Sequence, residues 1–174
     1  MADNIHAVSD APVDELDGDV LSKIASVQQQ IFGASDIVAK LVPVPEWGKD
    51  KSDPTGERDL HIEIRAADVV KRSAYFKTLQ EIAPDGDISK VPVEEMYPLI
   101  VSLNAYLAVY DDTITGDIED KWQPGEGAKL FTQKHCKMLA TRNAEIIERL
   151  ASVAQDMSGM GASDEKDAFL STLI

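Results

Sequence analysis

The sequence predicts an α+β fold, in which an N-terminal β-hairpin packs on a small helical bundle, the whole mostly helical and preceded by a flexible acidic arm. Leu60 to Arg65 alternates strictly, with Leu60, Ile62 and Ile64 on one side and His61, Glu63 and Arg65 on the other, the period of a half-buried strand. Ile37 to Val44 is apolar and β-branched, and Pro43 and Pro45 allow it to be an edge strand but not a central one. Apolar residues then recur at helical spacing over Val69 to Ile82, Val93 to Val109 and Ala140 to Met157. These signals are independent of one another and agree.

Residues 1–18 form the arm. Asp3, Asp10, Asp14, Glu15 and Asp17 are uncompensated and interrupted by Pro12, a composition that cannot collapse by itself. Residues 19–159 are expected to form a single α+β domain. Asp19 caps an amphipathic helix carrying Val20, Leu21, Ile24, Val27, Ile31 and Phe32, closed by Gly33. The hairpin from Val38 to Val44 and Leu60 to Arg65 is joined by a polar loop containing Gly48, Pro54 and Gly56. Asp68 caps the next helix, whose predicted apolar face is Val69, Val70, Phe76, Leu79 and Ile82, ended by Pro84-Asp85-Gly86. Glu94, Glu95 and Pro98 suit the first turn of a second helix, where acids meet the positive dipole end and proline loses no hydrogen bond. That helix, with Leu103 mid-face, is expected to be the centre of the core. Asp111 to Gly127 reads as an acidic loop, Thr132 as the cap of a short helix through Cys136, and Ala140 to Met157 as the closing helix, stopped by Gly159-Met160-Gly161. Residues 160–174 read as a loosely ordered C-terminal tail.

Charge excludes two classes of partner. Seventeen Lys and Arg against 31 Asp and Glu leave a net charge of −14 among 174 residues, so the chain repels both nucleic acid and anionic membrane. Cys136, the single cysteine, cannot form an internal disulfide, and the first 19 residues have neither the basic nor the apolar part of a secretory signal. A cytoplasmic location is expected.

The search for catalytic chemistry is negative. His135 and Cys136 are adjacent on a predicted helix and point about 100° apart, so they cannot act on each other as base and nucleophile. One cysteine and three scattered histidines give no zinc spacing. Aligning Gly116 as the glycine of a calcium loop puts Trp122 where the bidentate acid belongs. Gly125-Glu126-Gly127 lacks the lysine of a phosphate loop. The chain is therefore expected to be no enzyme and to need no cofactor or metal.

What stands out is Val42-Pro43-Val44-Pro45-Glu46-Trp47-Gly48, an extended segment ending in a turn that carries a large amphipathic ring. Trp47 could plug one end of the sheet onto the helices. Alternatively, Val44, Pro45, Glu46, Trp47 and Gly48 form a partner-contact surface, since a tryptophan near an edge strand offers unpaired backbone groups and a hot-spot side chain.

This segment, following an acidic arm, resembles the tail assembly chaperones of long-tailed bacteriophages, in the siphophage-type subgroup with a Val-Pro-Glu-Trp-Gly motif. Leu60-His61-Ile62-Glu63-Ile64-Arg65 falls where that group has its second strand. Val109-Tyr110-Asp111-Asp112 and Lys129-Leu130-Phe131-Thr132 are similar to the group's acidic glycine loop and the helix start after it, and Arg142 to Met157 to its closing helix. The likeness runs from Val38 to Gly159. This chain differs in two longer loops, Asp50 to Arg58 and Ile114 to Glu126, both at predicted loop tips where insertions are tolerated.

The resemblance implies a non-enzymatic protein of the infected bacterial cytoplasm, absent from the mature virion. It would bind the tape measure protein and keep it soluble while the tail tube polymerises, with the tail tube protein and a second copy of the chain as further partners it allows. A structural head-tail connector or tail completion protein is the alternative, since it too would be small and free of catalytic residues. An acidic mimic of nucleic acid would array its carboxylates on regular elements, whereas these concentrate in the arm and loops.

Overall fold

The computed structural model describes residues 18–33 and 37–158. The predicted arm up to residue 17 and the predicted tail lie outside them. The chain divides into two compact units, residues 1–36 and 37–174. In the first, α1 spans Gly18–Gly33, one residue or two beyond the predicted helix at each end. Its apolar residues Val20, Leu21, Ile24, Val27 and Ile31 are all exposed.

The second unit is α+β. Strands β1 (Ala39–Pro43), β2 (His61–Arg65) and β3 (Ala105–Leu107) form an antiparallel sheet in the order β1-β2-β3. The predicted hairpin is there, with Val42 opposite Ile62 and Lys40 opposite Ile64. Pro43 lies on the edge strand, where its missing N–H costs no ladder bond. Helices α2 (Val69–Ile82), α3 (Val93–Asn104), α4 (Ile118–Lys121), α5 (Cys136–Leu139) and α6 (Ala144–Ser158) complete the unit. Helix α3 packs on α5 and α6, and α6 reaches β1 and β2. Ile62 and Ile64 point from the sheet into a core shared with Ile100 and Val101 of α3 and Leu150 of α6. Ala151 and Ala154, both fully buried, keep the α6 surface low enough for close packing.

Some boundaries follow the sequence directly. Asp68 accepts the backbone N–H of Lys71 at 2.8 Å, the cap expected of it, and α2 ends ahead of Pro84. Its buried face, however, is Tyr75 and Leu79, whereas Val69 and Val70 are 82% and 77% exposed. These two sit in the first turn and face solvent.

The helix expected over Val93 to Val109 stops at Asn104. Asn104 turns its side-chain amide back to the Ile100 carbonyl at 2.8 Å, and Ala105 takes up extended geometry. The next three residues pair with β2, whose second edge would otherwise leave buried backbone groups unmatched. Pro98 lies in the second turn rather than the first, so the Glu94 carbonyl lacks its helical donor. Leu103 is half-buried and packs against the core without lying at its centre.

Glu63 departs most from expectation. Period-2 alternation places it on the solvent side, yet its side chain is fully buried. The segment from Val109 to Gly127 folds over that face of the sheet and closes it. Trp122 donates its indole N–H to the Glu63 carboxylate at 2.9 Å and Gly125 its backbone N–H at 3.1 Å, while Arg65 completes a tight ion pair with the same group. Arg65 also covers the Tyr106 ring and donates to the Gly127 carbonyl at 2.7 Å. A side chain at Gly127 would start 1.6 Å from the Leu107 carbonyl oxygen, so only glycine fits where the segment rejoins β3.

Candidate partner-binding surface

β1 runs directly into the turn singled out by the sequence. Val44 donates its N–H to the Leu60 carbonyl at 2.7 Å and its side chain is fully buried, so it belongs to the core. Pro45–Trp47 form one 3-10 turn, closed by N–H groups of Trp47 and Gly48 bonding the carbonyls of Val44 and Pro45, both at 3.0 Å. Gly48 has φ 104°, a conformation that favours glycine. Trp47 is half-buried against the core, while Pro45, Glu46 and Gly48 are exposed.

Arg149 of α6 ties this turn down. Both of its terminal nitrogens reach the Glu46 carboxylate at 3.0 Å, and one also reaches the Pro43 carbonyl at 3.2 Å. The Arg149 fork holds the Glu46 carboxyl below its ordinary range. Replacing Arg149 with alanine should therefore speed amide hydrogen exchange at Trp47 and Gly48 several-fold. Unchanged exchange would mean that the turn stands by itself.

A second feature joins the loop from Asp50 to Arg58 to the segment that follows β3. Arg58 donates to Asp50 and to Asp112, each at 2.9 Å, and lies 3.9 Å above the Tyr110 ring. Burial pushes the Asp50 carboxyl up, but the Ser52 hydroxyl and N–H and Arg58 outweigh it, and the net shift is downward. The Asp53 carboxyl is held far below its usual range by the backbone N–H of Arg58 and the Thr55 hydroxyl. Burial pushes the Tyr110 hydroxyl up to about 12. A cavity of about 530 Å³ opens beside this cluster, between Pro54, His61, Ile118 and Lys121. Asp50 and Asp53 bond within their own loop, and Asp112 ties that loop, through Arg58, to the segment after β3.

That arrangement has an acid limb. Groups whose folded pKa is depressed contribute stability that is complete above their unfolded value, 3.8 for Asp, and is lost as pH falls through the folded value. Stability should hold from neutral pH to about pH 4 and decline below it, with Asp53→Asn flattening the decline. Urea titrations across that range provide the check, and a decline unaffected by Asp53→Asn would remove the assignment to this cluster.

A third feature was not foreseen. Between α2 and α3 on one side and α5 and α6 on the other runs an open furrow, made of adjoining hollows of about 440 Å³ and 160 Å³ that share Glu94, Pro98 and Ala140. Its floor is apolar, with Ile82, Leu99 and Cys136 in the larger hollow and Tyr97, Leu139 and Ile147 in the smaller. α6 thus serves both surfaces, Ile147 lining the furrow and Arg149 holding the Trp47 turn. No local signal marks a furrow, because it arises from the spacing of helices distant in sequence.

The residues that drew attention as possible catalysts have other contacts. The His135 ring accepts the Thr132 N–H at 2.9 Å, and the Cys136 thiol meets the Ser102 hydroxyl at 3.4 Å. In the acidic loop, Asp111 accepts from Thr113 and Asp120 from the Asp117 N–H. Among the described residues, no cluster of three or more His, Cys, Asp or Glu could hold a metal ion, and no helix is long and apolar enough to cross a membrane. No family model matches the chain, and neither does any curated protein or solved structure.

Proposed function

We propose that the protein is a tail assembly chaperone of a long-tailed bacteriophage, which binds the tape measure protein and keeps it soluble while the tail tube polymerises. It acts in the cytoplasm of the infected bacterium and leaves before the virion matures. The observation that carries this reading is the open apolar furrow bounded by α2, α3, α5 and α6. A groove between helices can accept the apolar stripe of an amphipathic helix. The tape measure protein is a long helical chain that needs such cover. The sequence resemblance, from the Val44 to Gly48 turn to the closing helix, supplies the identity of the partner, and the net charge of −14 would keep the complex dispersed.

Co-expression with the tape measure protein, followed by pull-down, tests the reading. The partner should stay in the soluble fraction, and association should survive high salt, because apolar burial dominates it. Capture of a basic partner by exposed charge would instead weaken steeply, such charges being screened within about 8 Å at physiological ionic strength. Trp47→Ala should weaken binding at an unchanged melting temperature if the exposed part of the ring touches the partner. A loss of stability in step with binding would make the ring a core plug. No association at either salt concentration removes the proposal, and the chain in stoichiometric amount in purified particles would transfer it to the connector or tail completion class.

A further inference from the structure

The furrow is not electrically uniform. Glu94 and Glu95 stand exposed on its α3 wall, whereas Lys137 after the start of α5 and Arg142 just beyond it stand on the opposite wall, with Glu148 at the α6 end. The residues from Gly127 to Asn143 contain four Lys and Arg and no acid, in a chain otherwise dominated by acids. Among the described residues, neither Glu94 and Glu95 nor Lys137 and Arg142 take part in an ion pair within the chain. The molecule therefore presents an apolar floor between two walls of opposite, unspent charge.

We propose that this furrow seats one helix of the tape measure protein in a single direction. The occupant is an amphipathic helix with basic residues along one edge of its apolar stripe and acidic residues along the other. Laid one way, its basic edge faces Glu94 and Glu95 and its acidic edge faces Lys137 and Arg142. Reversed end for end with the same face down, it sets like charges against each other on both walls. Complementary charge of this kind contributes direction and selectivity more than affinity, so the salt tolerance expected of the complex is retained. The inference rests on the chaperone reading, because the partner's source comes from there.

Cys136 supplies the measurement. It is the only cysteine of the chain, it is half-buried, and it lines the larger hollow. The full-length protein, alone and in complex with co-expressed tape measure protein, would be treated with a thiol alkylator and the Cys136 peptide followed by mass spectrometry. Seating a helix should slow alkylation about ten-fold or more. Ala140→Trp, which fills the furrow from an exposed position, should weaken association about ten-fold or more at an unchanged melting temperature. Lys137→Glu with Arg142→Glu makes both walls acidic and should weaken association. Adding Glu94→Lys and Glu95→Lys restores opposite walls and should recover it.

A complex in which Cys136 reacts at the free rate, or in which Ala140→Trp binds normally, overturns the furrow and leaves the chaperone reading standing. Indifference to the one-wall reversal overturns the fixed direction. If the unaltered chain forms no complex, both the inference and the reading beneath it fail.

Discussion

Glu63→Ala is expected to cost about 3–5 kcal/mol, the penalty of removing one partner from a buried ion pair. The carboxylate is wholly enclosed and the Arg65 side chain is only 14% exposed, so truncation leaves a guanidinium with little access to water and no counter-charge. The indole N–H of Trp122 and the backbone N–H of Gly125 lose their acceptor at the same time. Because those two bonds hold the Val109 to Gly127 segment against the sheet, the variant should also free Trp122, seen as a red shift of its emission, with Trp47→Phe in the background to remove the second tryptophan. Glu63→Leu combined with Arg65→Met should recover part of the loss, since an apolar pair of similar volume escapes the desolvation penalty. A cost below about 1 kcal/mol for Glu63→Ala would mean that water reaches the pair.

The same residue shows where sequence stops being informative. Alternation identified β2 and its two faces, and Ile62 and Ile64 do point into the core. It could not show that a segment whose Trp122 lies 59 residues further on would cover the other face, because the acids and glycines of that segment look like any solvated loop. The end of α3 was hidden for a related reason. Ala105-Tyr106-Leu107 continues an apolar run, and a short buried strand cannot be told from a buried helical turn by periodicity. Asp68 and Pro84, whose effects are local, located α2 at both ends. The Val44 to Gly48 turn was legible as a turn with an exposed rim, yet its clamp, Arg149, is 103 residues from Glu46. The furrow had no local mark at all. Glu94 and Glu95 suit a helix N-terminus wherever they face, and a single cysteine on a short helix gives no hint of what Cys136 lines.

Leu150→Ala should destabilise the domain by about 2–5 kcal/mol, through lost transfer energy and the cavity left behind. Leu150 is fully buried on α6, in the layer between that helix, α3 and the inner face of the sheet, whereas Leu103, the core position suggested by the α3 pattern, is half-buried. The site is poorly placed to relax. Ala151 and Ala154 already bring the α6 backbone close to its neighbours, so the helix cannot move inward to fill the space. Leu103→Ala should therefore cost less than Leu150→Ala. Urea unfolding would show the difference as a lower midpoint at an unchanged slope, the mark of lost stability rather than a change in the surface exposed. Leu150 lines neither hollow of the furrow, so at a temperature where the variant is still folded its association with the tape measure protein should equal that of the unaltered chain. Ala140→Trp should show the reverse pattern, with binding lost and stability kept. If Leu150→Ala abolished binding while folded, the furrow could not be a surface that works independently of the core beneath it, and the contact with the partner would have to involve repacking of α6.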